Sequence, residues 1–245
     1  MELNTTIELI KNHTSIRKFT DKKISKTKLN HIIDAAISAS SSCFFQCISI
    51  IHVTEISKRK ELVKLSGNKN YVSESSDFLL FCIDYARHKT IAPEVNFGNI
   101  ERIINASIDA GIIGQNALLA AQSLGLGGVF IGGIRNNPKP ICNLLGLPAY
   151  VFPLMGLCLG YPDQNPEKKP RLPKEILIHK DHYQKLDMIA LKKYDLRSKS
   201  YYQNRSSNNK NQTWTSNISE KLTKEERPFM SDALKSQMLF TNLDE

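Results

Sequence analysis

The chain has 245 residues, of which 41% are hydrophobic and 23% charged, the balance of an ordinary globular protein able to bury a substantial core in one large domain or two small ones. No apolar run reads as long enough to span a bilayer, and Met1–Asn12 mixes Glu2, Glu8 and Lys11 with apolar residues instead of showing a signal-peptide layout, so a cytoplasmic location without membrane attachment is expected. A net charge of +9 with a pI near 9.2 suits an anionic partner, either nucleic acid or a multiply phosphorylated small molecule.

In chain order, Leu3, Ile7 and Ile10 predict a short helix over Leu3–Asn12, ending at His13-Thr14-Ser15-Ile16-Arg17. Ser25 is a suitable N-cap for a second helix, in which Leu29, Ile32, Ile33, Ala36 and Ile37 recur at helical spacing before the polar stop Ser40-Ser41-Ser42. Ile48–Val53 reads as a strand, Ser57–Leu65 as a charged helix and Asp77–Asp84 as a buried central strand. Asn99–Leu124 is the longest helical segment. It is apolar on nearly every side, which predicts burial, and Gly111 and Gly114 would admit another backbone, either in a single core or at a subunit interface.

Next comes a strand between two glycine pairs, Gly127-Gly128 and Gly132-Gly133. Glycine permits positive φ and close approach, so this backbone is expected to lie against a flat ligand or another chain; the alternative is a cap, a turn and a buried strand. Pro138 and Pro140 open a short helix that ends at Gly146, and Val151–Gly160 is another apolar strand. Tyr161–Pro173 is a proline-rich loop that holds Lys169 and Arg171 extended. Asp187–Tyr202 is helical by pattern, Gln203–Thr215 is mobile by composition, and Ile218–Leu239 is amphipathic through Leu222, Phe229, Leu234 and Met238. These C-terminal pieces read as arms on a core, the chain's own or a partner's.

Several chemistries are excluded by their missing signatures. Gly125 and Gly127 fail the dinucleotide fingerprint, because Phe130 stands where its third glycine belongs and the segment runs from helix to strand. There is no phosphate-binding loop of the Gly-Lys-Ser/Thr type and no nucleophile elbow. The 5 cysteines are scattered, so free thiols are expected, and neither Cys43 with Cys47 nor His179 with His182 has the second half of a metal site. The basic residues form separate loop clusters instead of one helix or sheet face. This favours small phosphate contacts over a nucleic-acid track. His13, Ser15 and Arg17, the Ser40–Ser42 hydroxyls, and Lys169 with Arg171 are suited to a phosphate monoester with a polyol tail.

Read together, His13-Thr14-Ser15-Ile16-Arg17, Ser40-Ser41-Ser42 with Phe44-Phe45-Gln46, Gly127 to Asn137, Gly156-Leu157-Cys158-Leu159-Gly160, Lys169-Pro170-Arg171-Leu172-Pro173 and Ser206-Ser207-Asn208-Asn209 resemble the nitroreductase superfamily. The similarity runs in order from about Thr6 to Phe229 and is strongest to its NADPH-dependent oxygen-insensitive nitroreductases and NADPH-flavin oxidoreductases. The resemblance implies an α+β nitroreductase-like fold, with a central mixed, mainly antiparallel sheet flanked by helices and a C-terminal excursion wrapping a partner subunit. It implies residues 1–160 as an FMN-binding core and residues 161–245 as an extension, in one structural domain with it, that completes the FMN site and binds NADPH.

It further implies a homodimer acting on small-molecule acceptors; from the residue patterns above, no nucleic acid, no membrane and no metal are expected. FMN would be held by His13, Thr14, Ser15, Ile16, Arg17, Lys169 and Arg171 around its phosphate and ribityl chain. Ser41 and Lys69 would lie nearby, with the backbone of Phe130, Ile131, Gly132 and Gly133 beside the ring. Arg205 and Lys210 would grip NADPH, and Cys43, Phe44 and Arg227 would line the substrate side. The family pattern often has Arg at Thr14, Gln at Lys69, Ser at Cys43, Tyr at Phe130 and Arg at Lys210. The implied activity is NADPH-dependent reduction of nitroaromatics, quinones or related acceptors by ping-pong hydride transfer, without a side-chain acid or base. Supply of free reduced FMN and a non-catalytic FMN-binding redox role are the alternatives.

Overall fold

The computed structural model describes residues 5–224 and 227–240. It divides into two compact units: Met1–Lys11, Ser15–Gln164 and Arg227–Glu245 form the first, Asn12–Thr14 and Asn165–Glu226 the second.

In the first unit the order is α1 (Thr5–Lys11), α2 (Lys26–Ile37), β1 (Ile48–His52), α3 (Ile56–Leu65), α4 (Tyr71–Glu74), β2 (Asp77–Asp84), α5 (Ala86–Ile91), α6 (Ile100–Ser123), β3 (Gly127–Ile131), α7 (Pro138–Leu145) and β4 (Val151–Gly160). The second unit contributes α8 (Lys174–Leu177), α9 (Met188–Asn204) and α10 (Trp214–Leu222), and α11 (Met230–Lys235) belongs again to the first. Leu3, expected in the first helix, lies outside the described residues. The expected caps are in place. Ser25 accepts the Lys28 N–H, and Gly146 closes α7 at φ 65°, a left-handed conformation that glycine adopts without a Cβ clash.

The strands form one sheet in the order β1-β2-β4-β3. Every pairing is antiparallel, with Ile50 opposite Phe81 and Phe130 opposite Leu157, where the sequence expectation allowed a mixed sheet. Helices cover both faces, which is why β2 reads as an unbroken apolar run. Leu79, Phe81 and Ile83 join the core under α2 and α6, whereas Phe78, Leu80 and Cys82 join the opposite core with Leu62 of α3 and Ile141 of α7.

Three expectations need correction. α6 is buried on one face only, through Ala106, Ala110, Gly114, Ala117, Leu118 and Ala121. Ile100, Ile104, Ile108 and Ile112, one turn apart, are exposed, so its all-round hydrophobicity does not mean all-round burial within this chain. By length and hydropathy α6 would also reach across a bilayer, contrary to the reading that no run is long enough; here its buried face packs on the sheet and α2. In the second unit, the stretch expected to be mobile is held by hydrogen bonds, with Lys210 N–H donating to Tyr202 O at 3.0 Å and Asn209 Nδ2 donating to Gln203 O and Arg205 O.

The amphipathic C-terminal segment is interrupted after Leu222 and resumes at Met230. Its last part lies on the chain's own core: Leu239 is fully buried and Tyr150 N–H donates to Gln237 O at 2.7 Å.

Candidate functional site

The segment Ser15-Ile16-Arg17 runs along the free edge of β3. Ile16 N–H donates to Gly128 O at 3.0 Å, and the buried Ile16 side chain lies 2.5 Å from where a Cβ on Gly127 would stand. Gly128 in turn lies under Leu118, and its Cβ would come within 2.7 Å of Cys158 O. Neither glycine has positive φ. This pair therefore serves close packing of protein on protein, and the sequence expectation of a ligand against it is corrected. Anchored by Ile16, the exposed Arg17 donates through Nη1 to Ser15 O at 3.4 Å, and its N–H donates to Gln164 Oε1. Its guanidinium also lies beside Tyr71, offsetting part of the upward push that burial gives the Tyr71 hydroxyl.

At the end of β3 the second glycine pair divides in role. Phe130 turns towards Gly114 of α6 and Ile131 is buried in the opposite core, after which Gly132–Asn136 forms a 3₁₀ turn. A Cβ on Gly133 would stand 2.2 Å from Ser66 O, so the loop after α3, which carries the exposed Lys69, lies directly on that glycine. Asn137 Nδ2 ties the same loop by donating to Leu65 O at 2.8 Å.

Gly132 is different. The nearest atoms to its absent Cβ are the guanidinium nitrogens of Arg135, at 3.5 and 3.9 Å, so its backbone is open on that side. Arg227, in the left-handed region at φ 62°, donates to Asn136 Oδ1 at 2.9 and 3.1 Å and reaches Gly132 O at 3.5 Å. Arg17, the Lys69 loop, Gly132, Gly133 and Arg227 are thus linked through one set of packed segments. Beside it, a cavity of about 360 Å³ is lined by Asn136, Asn137, Lys139, Phe229 and Asp232.

Ser41, Cys43 and Phe44 form a second group, on the turn after α2. Cys43, Phe44 and Gln46 take φ values of 46°, 57° and 51°, a conformation costly for residues with a Cβ. Cys43 is exposed and Phe44 is 78% exposed. Asp109 of α6 braces the turn, accepting from Ser41 Oγ at 2.6 Å and from Ser42 N–H at 3.1 Å, although its side chain is almost fully buried. Ser41 Oγ accepts Gln46 N–H at 2.8 Å, His88 Nε2 meets Phe45 O at 2.7 Å and Arg87 donates to Gln46 O at 2.7 Å. Sequence reasoning missed Asp109; the signal was a lone carboxylate in the apolar middle of α6.

In the second unit, the buried Tyr202 gathers three of the expected residues. Lys169 Nζ lies 5.2 Å from its ring centre and the Arg205 guanidinium 4.8 Å, while its carbonyl accepts the Lys210 N–H. Arg205 is also turned onto Asn208 O. Tyr194 OH donates to Pro170 O and Arg197 to Arg171 O, both at 3.1 Å, which keeps the Lys169–Arg171 segment extended and both its cationic side chains exposed. His13 and Thr14 belong to this unit and are half-buried. Ser206 donates through N–H and Oγ to Glu167, and the backbone N–H of Glu167 itself, followed by these Ser206 bonds, holds the Glu167 carboxyl below its usual range.

An antiparallel sheet with helices on both faces places the chain among the α+β proteins. Residues 10–161 match the nitroreductase family and residues 169–241 its C-terminal domain, and the chain belongs to the nitroreductase family. It is 46% identical to an NADPH-flavin oxidoreductase of Vibrio harveyi over 97% of this chain and 99% of the relative. It is also 46% identical to an oxygen-insensitive NADPH nitroreductase of Salmonella typhimurium, over 96% of this chain and 98% of the relative. Among solved structures, the NADPH:FMN oxidoreductase of Vibrio harveyi complexed with NAD+ superposes with a TM-score of 0.92 at 44% identity, covering 98% of this chain and 100% of that one.

Proposed function

We propose that the chain is an FMN-dependent NADPH oxidoreductase that works as a homodimer and reduces nitroaromatics, quinones or related acceptors in a ping-pong cycle. The observation that carries this reading is the open backbone at Gly132 with Arg227 on its carbonyl. A planar ring needs main chain without a side chain in the way, and a Cβ at this position would project into that free space. The residues present also suit a phosphate, since Arg17 in the first unit and Lys169 and Arg171 in the second are exposed cations.

Bound FMN would supply hydride chemistry, accepting from NADPH and passing on to the acceptor. In this reading Ser15, Ile16, Arg17, Ser41, Lys69 and Phe130–Gly133 of the first unit, with His13, Thr14, Lys169 and Arg171 of the second, hold that cofactor. Ser41 Oγ gives its one proton to Asp109, so it meets a ligand only as an acceptor. Arg205 and Lys210 grip the 2′-phosphate of NADPH, and Cys43, Phe44 and Arg227 meet the acceptor. No side chain is asked to move a proton. Two groups on the first unit, one at Gly132 and one on the Cys43 turn, suit a homodimer in which each site draws on both copies.

The two 46% relatives carry a flavin-oxidoreductase name and a nitroreductase name, which favours keeping supply of free reduced FMN as a second reading. Turnover of free FMN against that of a nitrofuran at matched NADPH separates the two. Purified protein that takes up no FMN would overturn both.

A further inference from the structure

The turn that carries Cys43 and Phe44 is one that its own backbone preferences disfavour. Three of its residues occupy the left-handed region and none is glycine, so the surroundings must impose the conformation. Asp109 is the buried end of that bracing. It is 1% exposed, and the other buried positions of α6 are alanine, glycine and leucine. Its partners are three donors: the Ser41 hydroxyl, the Ser42 N–H and, at 3.7 Å, the Cys47 thiol. Burial pushes the Cys47 thiol up, which keeps it a donor.

Ser41 then relays the brace across the turn, giving its proton to Asp109 and receiving the Gln46 N–H. His88 and Arg87 hold the far end through Phe45 O and Gln46 O. What the braced turn presents outward is a thiol and a phenyl ring, neither of which binds phosphate.

We infer that Asp109 is a positioning residue for the acceptor half of the reaction: by engaging Ser41 and Ser42 it holds Cys43 and Phe44 in the strained turn and so sets which acceptors are reduced, without touching them. This rests on the oxidoreductase reading above. NADPH binding is assigned to Arg205 and Lys210, outside the brace, whereas Ser41, assigned to the cofactor, is part of it, so the half-reactions are compared at saturating FMN.

The test uses the FMN-loaded enzyme and Asp109→Ala, with Asp109→Leu, which fills the space with an apolar group, if the alanine variant fails to fold. Either change raises the KM for a nitrofuran about tenfold, the loss of roughly 1.4 kcal/mol of binding, and leaves anaerobic flavin reduction by NADPH within about threefold of wild type. Asp109→Asn keeps an oxygen for Ser42 N–H and offers its amide to Ser41 Oγ, so it stays within about threefold on both measures. Mass-spectrometric thiol alkylation gives a readout apart from activity. Cys47 is protected in wild type and in Asp109→Asn, and becomes labelled in Asp109→Ala.

An unchanged acceptor KM in the alanine and leucine variants, an equal fall in both half-reactions, or an asparagine variant as impaired as alanine overturns the inference. Failure of the wild-type protein to hold FMN would overturn the function beneath it, while the labelling would still report whether Asp109 braces the turn.

Discussion

Adjacent glycines at the end of β3 ought to respond in opposite ways to the same added methyl group. In Gly133→Ala the new Cβ would stand 2.2 Å from Ser66 O and 3.1 Å from Ser66 C, both backbone atoms, so the loop bearing Lys69 must move. Overpacking of that kind costs about 1–3 kcal/mol. At ~2–4 °C per kcal/mol for a chain of this size, the apo protein should melt about 2–12 °C lower. In Gly132→Ala the nearest atom is Arg135 Nη2 at 3.5 Å, an ordinary contact with the end of a flexible side chain, and φ is not positive. Its melting temperature should be unchanged or slightly raised, because alanine narrows the unfolded ensemble by roughly 0.4–1 kcal/mol. Titration of the apo proteins with FMN should then separate stability from binding, with Gly132→Ala binding about tenfold or more weakly, roughly 1.4 kcal/mol, because its methyl group occupies the ring's place. Wild-type FMN affinity in Gly132→Ala would refute the proposed flavin wall, and an unshifted melting point in Gly133→Ala would refute the packing argument.

Arg59 is 4% exposed and gives Nε to Val72 O, Nη1 to Ser76 O and Nη2 to Ser75, so Arg59→Leu should lose about 3–5 kcal/mol in urea unfolding by leaving buried carbonyls unpaired. Arg205→Ala should raise the KM for NADPH about tenfold or more with little change for NADH, and Lys210→Arg, which restores a guanidinium fork, should widen that preference. Burial pushes the Cys142 thiol up to about 11 and Cys158 to about 12 from a usual value of 9.0. The folded chain therefore keeps protons that the unfolded chain releases, so stability should be level below pH 9 and fall as pH rises through 11 to 12 in unfolding titrations.

How much of this was legible follows from what each signal encodes. Ser25, the spacing of Leu29 to Ala36 and the run Phe78–Ile83 are local signals, and the elements they announce are present with little change. The glycine pairs were read as making room for a ligand. Gly127 and Gly128 instead make room for Ile16 and Cys158, and Gly133 for Ser66, partners 111, 30 and 67 residues away in sequence that no local pattern names. Only the contact geometry separates Gly132 from them. The hydrophobicity of α6 was plain, yet a sequence cannot say which copy of the chain covers each face, and Ile100 to Ile112 remain exposed here. The Asn- and Ser-rich stretch after α9 was misjudged because composition counts polar groups without their partners, and here Glu167, Tyr202 and Gln203 supply them. Asp109 carried a faint signal, whose meaning depends on Ser41 and Ser42 lying against α6.

The most direct test of the central claim is a visible spectrum of the purified protein followed by anaerobic titration with NADPH. Stoichiometric FMN per chain, bleached by an equivalent amount of NADPH and restored by a nitrofuran or quinone, is the expected result. A chain that stays colourless after incubation with FMN, or whose bound flavin NADPH leaves oxidised, would contradict the account.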